Sequence, residues 1–308
     1  MLLNKIQELK KNTQLFLRKV NWKLGHAIDD FIRTSLWRID SCEIVNQKEI
    51  RLIGLKRSGN HAIMNWIIKQ SKGSITCIND VPIFKNPFRH RHEYMSYEFP
   101  DNRVHQDLSI GIQKESKGNW SQKDYLIYSY EDHSLPKITH NKYELKHDLY
   151  VGKSLKRYDV LILRDPFNLL ASRFKSNFYS TKDYRKEFVE LWLEYAKEFI
   201  GETNYLKENK VCINYNRWFS DSDYRKDIFK SLDLDVLDIG LGNVSFMGGG
   251  SSFDKLEYAN SADSMKVLNR WEKYLKNQKY LKELSNQDVL EYSEKIFGKI
   301  PGTEILYN

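Results

Sequence analysis

Residues 54–61, Gly-Leu-Lys-Arg-Ser-Gly-Asn-His, set two cations and two glycines between an apolar run and a helical pattern. The run Leu52–Leu55 has the length and character of a strand end, and Ile63, Trp66, Ile67 and Gln70 recur at steps of three and four. Strand, basic glycine turn and helix together make an anion site. The first helical turn offers unpaired backbone N–H groups and the positive end of the helix dipole. Gly59 lets the chain approach a phosphate closely, and Lys56 and Arg57 bring full charges. Gly54 to Gly59 has the G-x-x-x-x-G spacing of a P-loop. A nucleoside triphosphatase, however, needs Lys and Ser/Thr next, and Asn60 and His61 stand there. ATP or GTP hydrolysis is therefore disfavoured.

Two further groups carry chemistry. Tyr158–Leu163 reads as a buried strand running into Arg164-Asp165-Pro166, and Ser172 follows eight residues after Arg164. An arginine at a strand end can fork onto a phosphate, with a serine hydroxyl behind it, and Pro166 suits a first helical turn. Asp124–Tyr130 alternates like a strand and ends in Glu131-Asp132-His133-Ser134-Leu135-Pro136. His133 or Glu131 there could take a proton from a hydroxyl at neutral pH. Val211–Tyr215 is another strand, closing on the aromatic Tyr215.

In this order the segments resemble the sulfotransferases that use 3′-phosphoadenosine 5′-phosphosulfate (PAPS). Arg57-Ser58-Gly59 is similar to the core of their 5′-phosphosulfate loop, Asn60 and His61 replace its two threonines, and Ala62 replaces its frequent tryptophan. Both replacements of the threonines can donate hydrogen bonds to an oxyanion. Arg164-Asp165-Pro166 with Ser172 resembles the 3′-phosphate motif. His133 falls on the histidine base of the family's Lys-x-His-Leu-Pro turn, with one residue inserted, and Glu131 replaces the lysine. Other branches of the family use Glu as base. Tyr215 matches the family's Tyr-Glu strand end, with Asn216 in place of the Glu.

The resemblance runs from about residue 50 to 272 and implies an α/β fold. A parallel sheet flanked by helices, with a P-loop-like first turn, would occupy 46–308 after an N-terminal helical extension, 1–45. It implies transfer of a sulfuryl group from PAPS to an acceptor hydroxyl or amine, with no metal because cationic side chains replace Mg²⁺. Arg57, Ser58, Gly59, Asn60, His61, Arg164, Ser172 and Tyr215 would hold the nucleotide, Arg57 would also meet developing charge, and His133 or Glu131 would be the base. Lys266, Arg270 or the glycine-rich 248–253 segment would complete the 3′-phosphate site. A P-loop kinase and a non-catalytic polyanion or nucleic-acid binder are the rival readings. Carbohydrate, small-molecule, lipid and peptide acceptors stay open.

The rest of the chain sets bounds. Its 308 residues are 41% hydrophobic, enough for a sizeable core, and the net charge of +8 suits anionic partners. Cys42, Cys77 and Cys212 are too few and too scattered for a disulfide framework or a zinc knuckle and read as reduced thiols. With no leader-like apolar segment and no run of about 20 apolar residues, a soluble cytoplasmic protein is expected. Ile6, Leu9, Phe16, Val20, Leu24, Ile28 and Phe31 mark one or two amphipathic helices over 2–39, with Gly25 a candidate break. Packing on the main domain is the expected use, with peripheral membrane contact as the alternative. Residues 81–123 lose periodicity and read as a long acceptor-binding loop, in which the His90-x-His92 pair lacks a third metal ligand.

Overall fold

The computed structural model describes residues 2–36, 43–98, 103–176, 182–235, 237–239, 241, 253 and 265–306. Strands form where apolar and β-branched residues run together: β1 (Ile44–Gly54), β2 (Ile75–Ile78), β3 (Lys123–Glu131), β4 (Lys153–Leu163) and β5 (Val211–Asn214). They make one parallel sheet in the order β2-β3-β1-β4-β5. β1 is central and buried from Lys48 to Gly54, charged Lys48, Glu49 and Arg51 included, and the apolar run Leu52–Leu55 is its end and the first residue past it.

The helices are α1 (Leu2–Leu36), α2 (Asn60–Gln70), α3 (Pro87–Glu98), α4 (Arg103–Ser116), α5 (Leu135–Ile138), α6 (Asn141–Glu144), α7 (His147–Val151), α8 (Pro166–Lys175), α9 (Lys182–Phe199), α10 (Tyr215–Ser220), α11 (Ser222–Ser231), α12 (Gln278–Leu284) and α13 (Gln287–Phe297). A 3₁₀ turn spans Arg270–Tyr274. Two compact units emerge. One gathers residues 1–45, 86–121 and 145–153, and the other holds the sheet in residues 46–85, 122–144 and 154–308.

Two expectations need correction. The stretch 81–123 is not an irregular loop but contains α3 and α4. Its helical period is masked because buried positions are polar. Arg89 on α3 is buried, donating from Nε to the Ser116 carbonyl at 3.0 Å and from Nη1 to Asp30 at 2.8 Å. The N-terminal segment is one helix, unbroken at Gly25, where a side chain would meet nothing within 4 Å.

Strand registers decide what the site can contain. Gly54 of β1 pairs with Glu131 of β3, and Leu163 of β4 pairs with Asn214 of β5. The residues just past these strands therefore leave the sheet at the same carboxyl edge, the usual ligand side of an open parallel sheet. Below that edge, Trp66 of α2 stacks on Phe229 at 4.5 Å and meets Trp218 edge-on at 5.7 Å. Arg51 of β1 is buried and bonds Asp159 of β4 at 2.7 Å, and its Nη1 bonds Glu144.

Removing one member of such a pair leaves a charge uncompensated in the core. Asp159→Ala should therefore lower unfolding stability by about 3 kcal/mol, read from denaturant titration.

Candidate active site

The turn after β1 is built by its own side chains. The buried Ser58 hydroxyl donates to the Leu55 carbonyl at 2.6 Å and lies 2.9 Å from Asn60 Oδ1. Asn60 Nδ2 donates to the Leu55 carbonyl and to Glu131 Oε1, each at 3.1 Å. Ser58 and Asn60 thus shape the turn through their side chains. Both side chains are engaged within the protein.

Arg57 has φ of 75° and Gly59 of 95°, a left-handed pair that turns the chain sharply into α2. A Cβ on Gly59 would stand 2.0 Å from the Tyr215 ring, and one on Gly54 would stand 2.0 Å from Asn60 Oδ1. Gly59 is therefore required by contact and by conformation, and Gly54 by contact with Asn60.

Arg164, just past β4, joins this turn to the rest of the site. It is only 2% exposed. Its Nη1 donates to the Arg57 carbonyl at 3.2 Å and lies 3.3 Å from Ser172 Oγ, while Nη2 donates to the Val267 carbonyl. Its guanidinium carbon lies 4.9 Å over the Tyr215 ring. Arg164 Nε is buried with no hydrogen-bond partner, and no carboxylate among the described residues forms an ion pair with this side chain. Arg270 approaches the same hydroxyl, Nη1 to Ser172 Oγ at 3.4 Å. Asn168 of α8 locks the segment in place, accepting from the Arg270 N–H at 2.8 Å and donating to the Leu268 carbonyl at 2.9 Å.

Of the basic residues near the C-terminal tryptophan, Arg270 is thus in the site and Lys266 is exposed. Gly248–Ser252 lie outside the described residues. Phe253, the end of that segment, lies under the Arg270 guanidinium at 4.8 Å. Two cations converging on one buried hydroxyl, with an unanswered N–H, form an arrangement that an anion completes.

A cavity of about 150 Å³ opens beside the turn, lined by Lys56, Glu131, Asp132, His133, Arg173, Phe188 and Leu191. Lys56 pairs with Asp80 at 3.1 Å. Asp132, at φ of 56°, accepts from the Lys56 N–H at 2.9 Å and from Arg173, whose Nε also donates to the Lys56 carbonyl at 3.1 Å. Arg173 and Asp132 brace the cavity, yet no spacing rule points to them. The available sign was Arg173's place immediately after Ser172.

Glu131 and His133 both face the cavity and differ in environment. Glu131 is 8% exposed, and its Oε1 also lies 3.7 Å from His61 Nε2. Burial raises its pKa to about 7, against the bond from Asn60, with Asp80 and Asp132 adding repulsion. His133 is held by its backbone, whose carbonyl accepts from Tyr195 OH at 2.8 Å, and its ring stays partly exposed. Burial lowers the imidazole below its ordinary value, so it is neutral at pH 7.

With the geometry established, the chain can be set beside known proteins. No family model and no curated protein matches it. Among solved structures, the sulfotransferase domain from the Synechococcus PCC 7002 olefin synthase aligns over 84% of this chain and 98% of its own, at TM-score 0.51 and 11% identity. The fold is a sulfotransferase fold. The mouse sulfotransferase SULT7A1 complexed with PAP aligns over 84% of this chain and 92% of its own, at TM-score 0.44 and 14% identity. Cys77 and Cys212 form no disulfide among the described residues, outside which Cys42 lies, and no described helix is long and apolar enough to cross a membrane.

Glu131 gives the site a pH signature. A carboxyl whose pKa is higher folded than unfolded costs stability only when ionised, so the penalty is absent below about pH 4.5 and complete above about 7. Glu131→Gln should abolish that decline and stabilise the fold at pH 8 by up to about 3 kcal/mol, with little change at pH 4. Chemical denaturation at both pH values measures this.

Proposed function

We propose that this protein transfers the sulfuryl group of PAPS to an acceptor hydroxyl or amine. The observation that carries the reading is the convergence of Arg164 and Arg270 on Ser172 beside the P-loop-like turn. PAPS carries phosphate groups at two ends of one nucleoside, and this site has two anion-binding places in matching order. Arg164, Ser172 and Arg270 would hold the 3′-phosphate. Arg57 and the backbone at Gly59, Asn60 and His61 would hold the 5′-phosphosulfate, with Tyr215 against the nucleotide side of the turn.

In the reaction, the acceptor oxygen or nitrogen forms a bond to sulfur as the bond from sulfur to the 5′-phosphate oxygen breaks. Negative charge gathers on that phosphate oxygen, where Arg57 and the N-terminus of α2 stabilise it. His133 is the better placed base. Its ring is partly exposed in the cavity and neutral at pH 7, so it can accept the acceptor's proton. Glu131 is engaged by Asn60 and more deeply buried, which suits it to fixing the turn.

Calorimetric titration with 3′-phosphoadenosine 5′-phosphate (PAP) and AMP tests the nucleotide assignment. PAP should bind at least about tenfold more tightly than AMP, and Arg164→Ala should remove that advantage. Equal affinities for the two nucleotides would overturn the assignment.

The base is tested with the first acceptor found in a screen with radiolabelled PAPS. His133→Ala should lower kcat by about 10²–10⁴ while leaving PAP affinity unchanged. In the unmodified protein the rising limb of kcat/KM against pH should lie below 6.5, the ordinary value of the imidazole. A limb near 7 that disappears in Glu131→Gln would move the role to Glu131.

A further inference from the structure

The two sides of α1 have opposite surroundings. Trp22, His26, Asp29, Asp30 and Arg33 share one arc of the helix, and the helix's contacts come from there. Asp30 accepts from Arg89 Nη1 at 2.8 Å, the Arg33 guanidinium carbon sits 4.5 Å over the Trp120 ring, and Trp22 lies 5.3 Å from His92. Phe16, Val20, Leu24, Ile28 and Phe31 fall on the opposite arc and are exposed, Phe16 by 64% and Phe31 by 69%. The helix is held in its unit by its mixed polar and aromatic side.

A row of large apolar side chains along a helix of 35 residues, about 52 Å long, calls for a covering surface. Charge identifies it. Residues 2–23 contain six basic residues (Lys5, Lys10, Lys11, Arg18, Lys19 and Lys23) and one acidic residue, Glu8. Lys23, which is exposed, stands at one edge of the apolar row.

We infer that α1 lies on the surface of an anionic lipid bilayer, its apolar row at the acyl boundary and its lysines among acidic headgroups. A basic amphipathic helix has this chemistry, and anionic headgroups complement its charge. It lies along the bilayer, since no described helix is apolar and long enough to span one. A second copy of the chain fits less well. It would set α1, with seven basic and three acidic residues, against an equally cationic helix.

Co-sedimentation of the full-length chain with vesicles tests this, using phosphatidylcholine alone and phosphatidylcholine mixed with phosphatidylserine. Binding should be at least about tenfold stronger to the mixed vesicles and should weaken as salt is raised. Leu24→Glu/Ile28→Glu should abolish it, and Lys10→Glu/Lys23→Glu should remove the preference for phosphatidylserine. Lys23, Leu24 and Ile28 are exposed, and thermal melting checks that each double variant is folded. Three results would overturn the inference: no binding to either vesicle, equal binding to both, or a concentration-dependent dimer in lipid-free sedimentation that Leu24→Glu/Ile28→Glu dissolves.

Discussion

One buried guanidinium holds the site together. Arg164 reaches the turn after β1 through the Arg57 carbonyl, α8 through Ser172, the C-terminal segment through the Val267 carbonyl, and the start of α10 through the Tyr215 ring. Four pieces of chain far apart in sequence meet on one cation. No carboxylate among the described residues forms an ion pair with it, and the buried Asp165 next to it in sequence supplies the nearby opposite charge. Under the proposed function, a phosphate oxygen would enter between the unanswered Nε of Arg164 and the Ser172 hydroxyl.

The sheet makes that meeting possible. β1, β3, β4 and β5 end in step, so Leu55, Asp132, Arg164 and Tyr215 emerge together without any long loop to search for the arrangement. Rigid strands position a site more tightly than loops do. Beneath the edge, the buried contact of Arg51 with Asp159 ties β1 to β4, the strands that lead into the glycine turn and into Arg164.

Much of this was legible in the residues, and the failures have physical causes. The β1 turn and the Arg164–Ser172 pair are local patterns, in which strand, turn and helix each leave a periodic trace. The role of Arg270 depends on Asn168 capturing a distant segment, and no local pattern encodes a contact across the fold. The stretch 81–123 was misread because Arg89 sits inside, paired with Asp30, where a periodicity reading expects an apolar residue. Amphipathicity revealed α1 but not which side would be covered. Its polar arc makes the specific contacts, and a count of apolar residues at steps of three and four cannot anticipate that.

The close approach of Gly59 to Tyr215 has a consequence for the chain's history. The ring occupies the space that any side chain at 59 would need, so the two positions share a single volume. Change at 59 is closed while the aromatic remains, and shrinking the ring alone would leave a void under the turn. Even with the ring gone, a φ of 95° at Gly59 would still strain any side chain placed there, so the position is held twice over. Drift in this part of the molecule is channelled by steric exclusion, independently of whatever chemistry selection acts on.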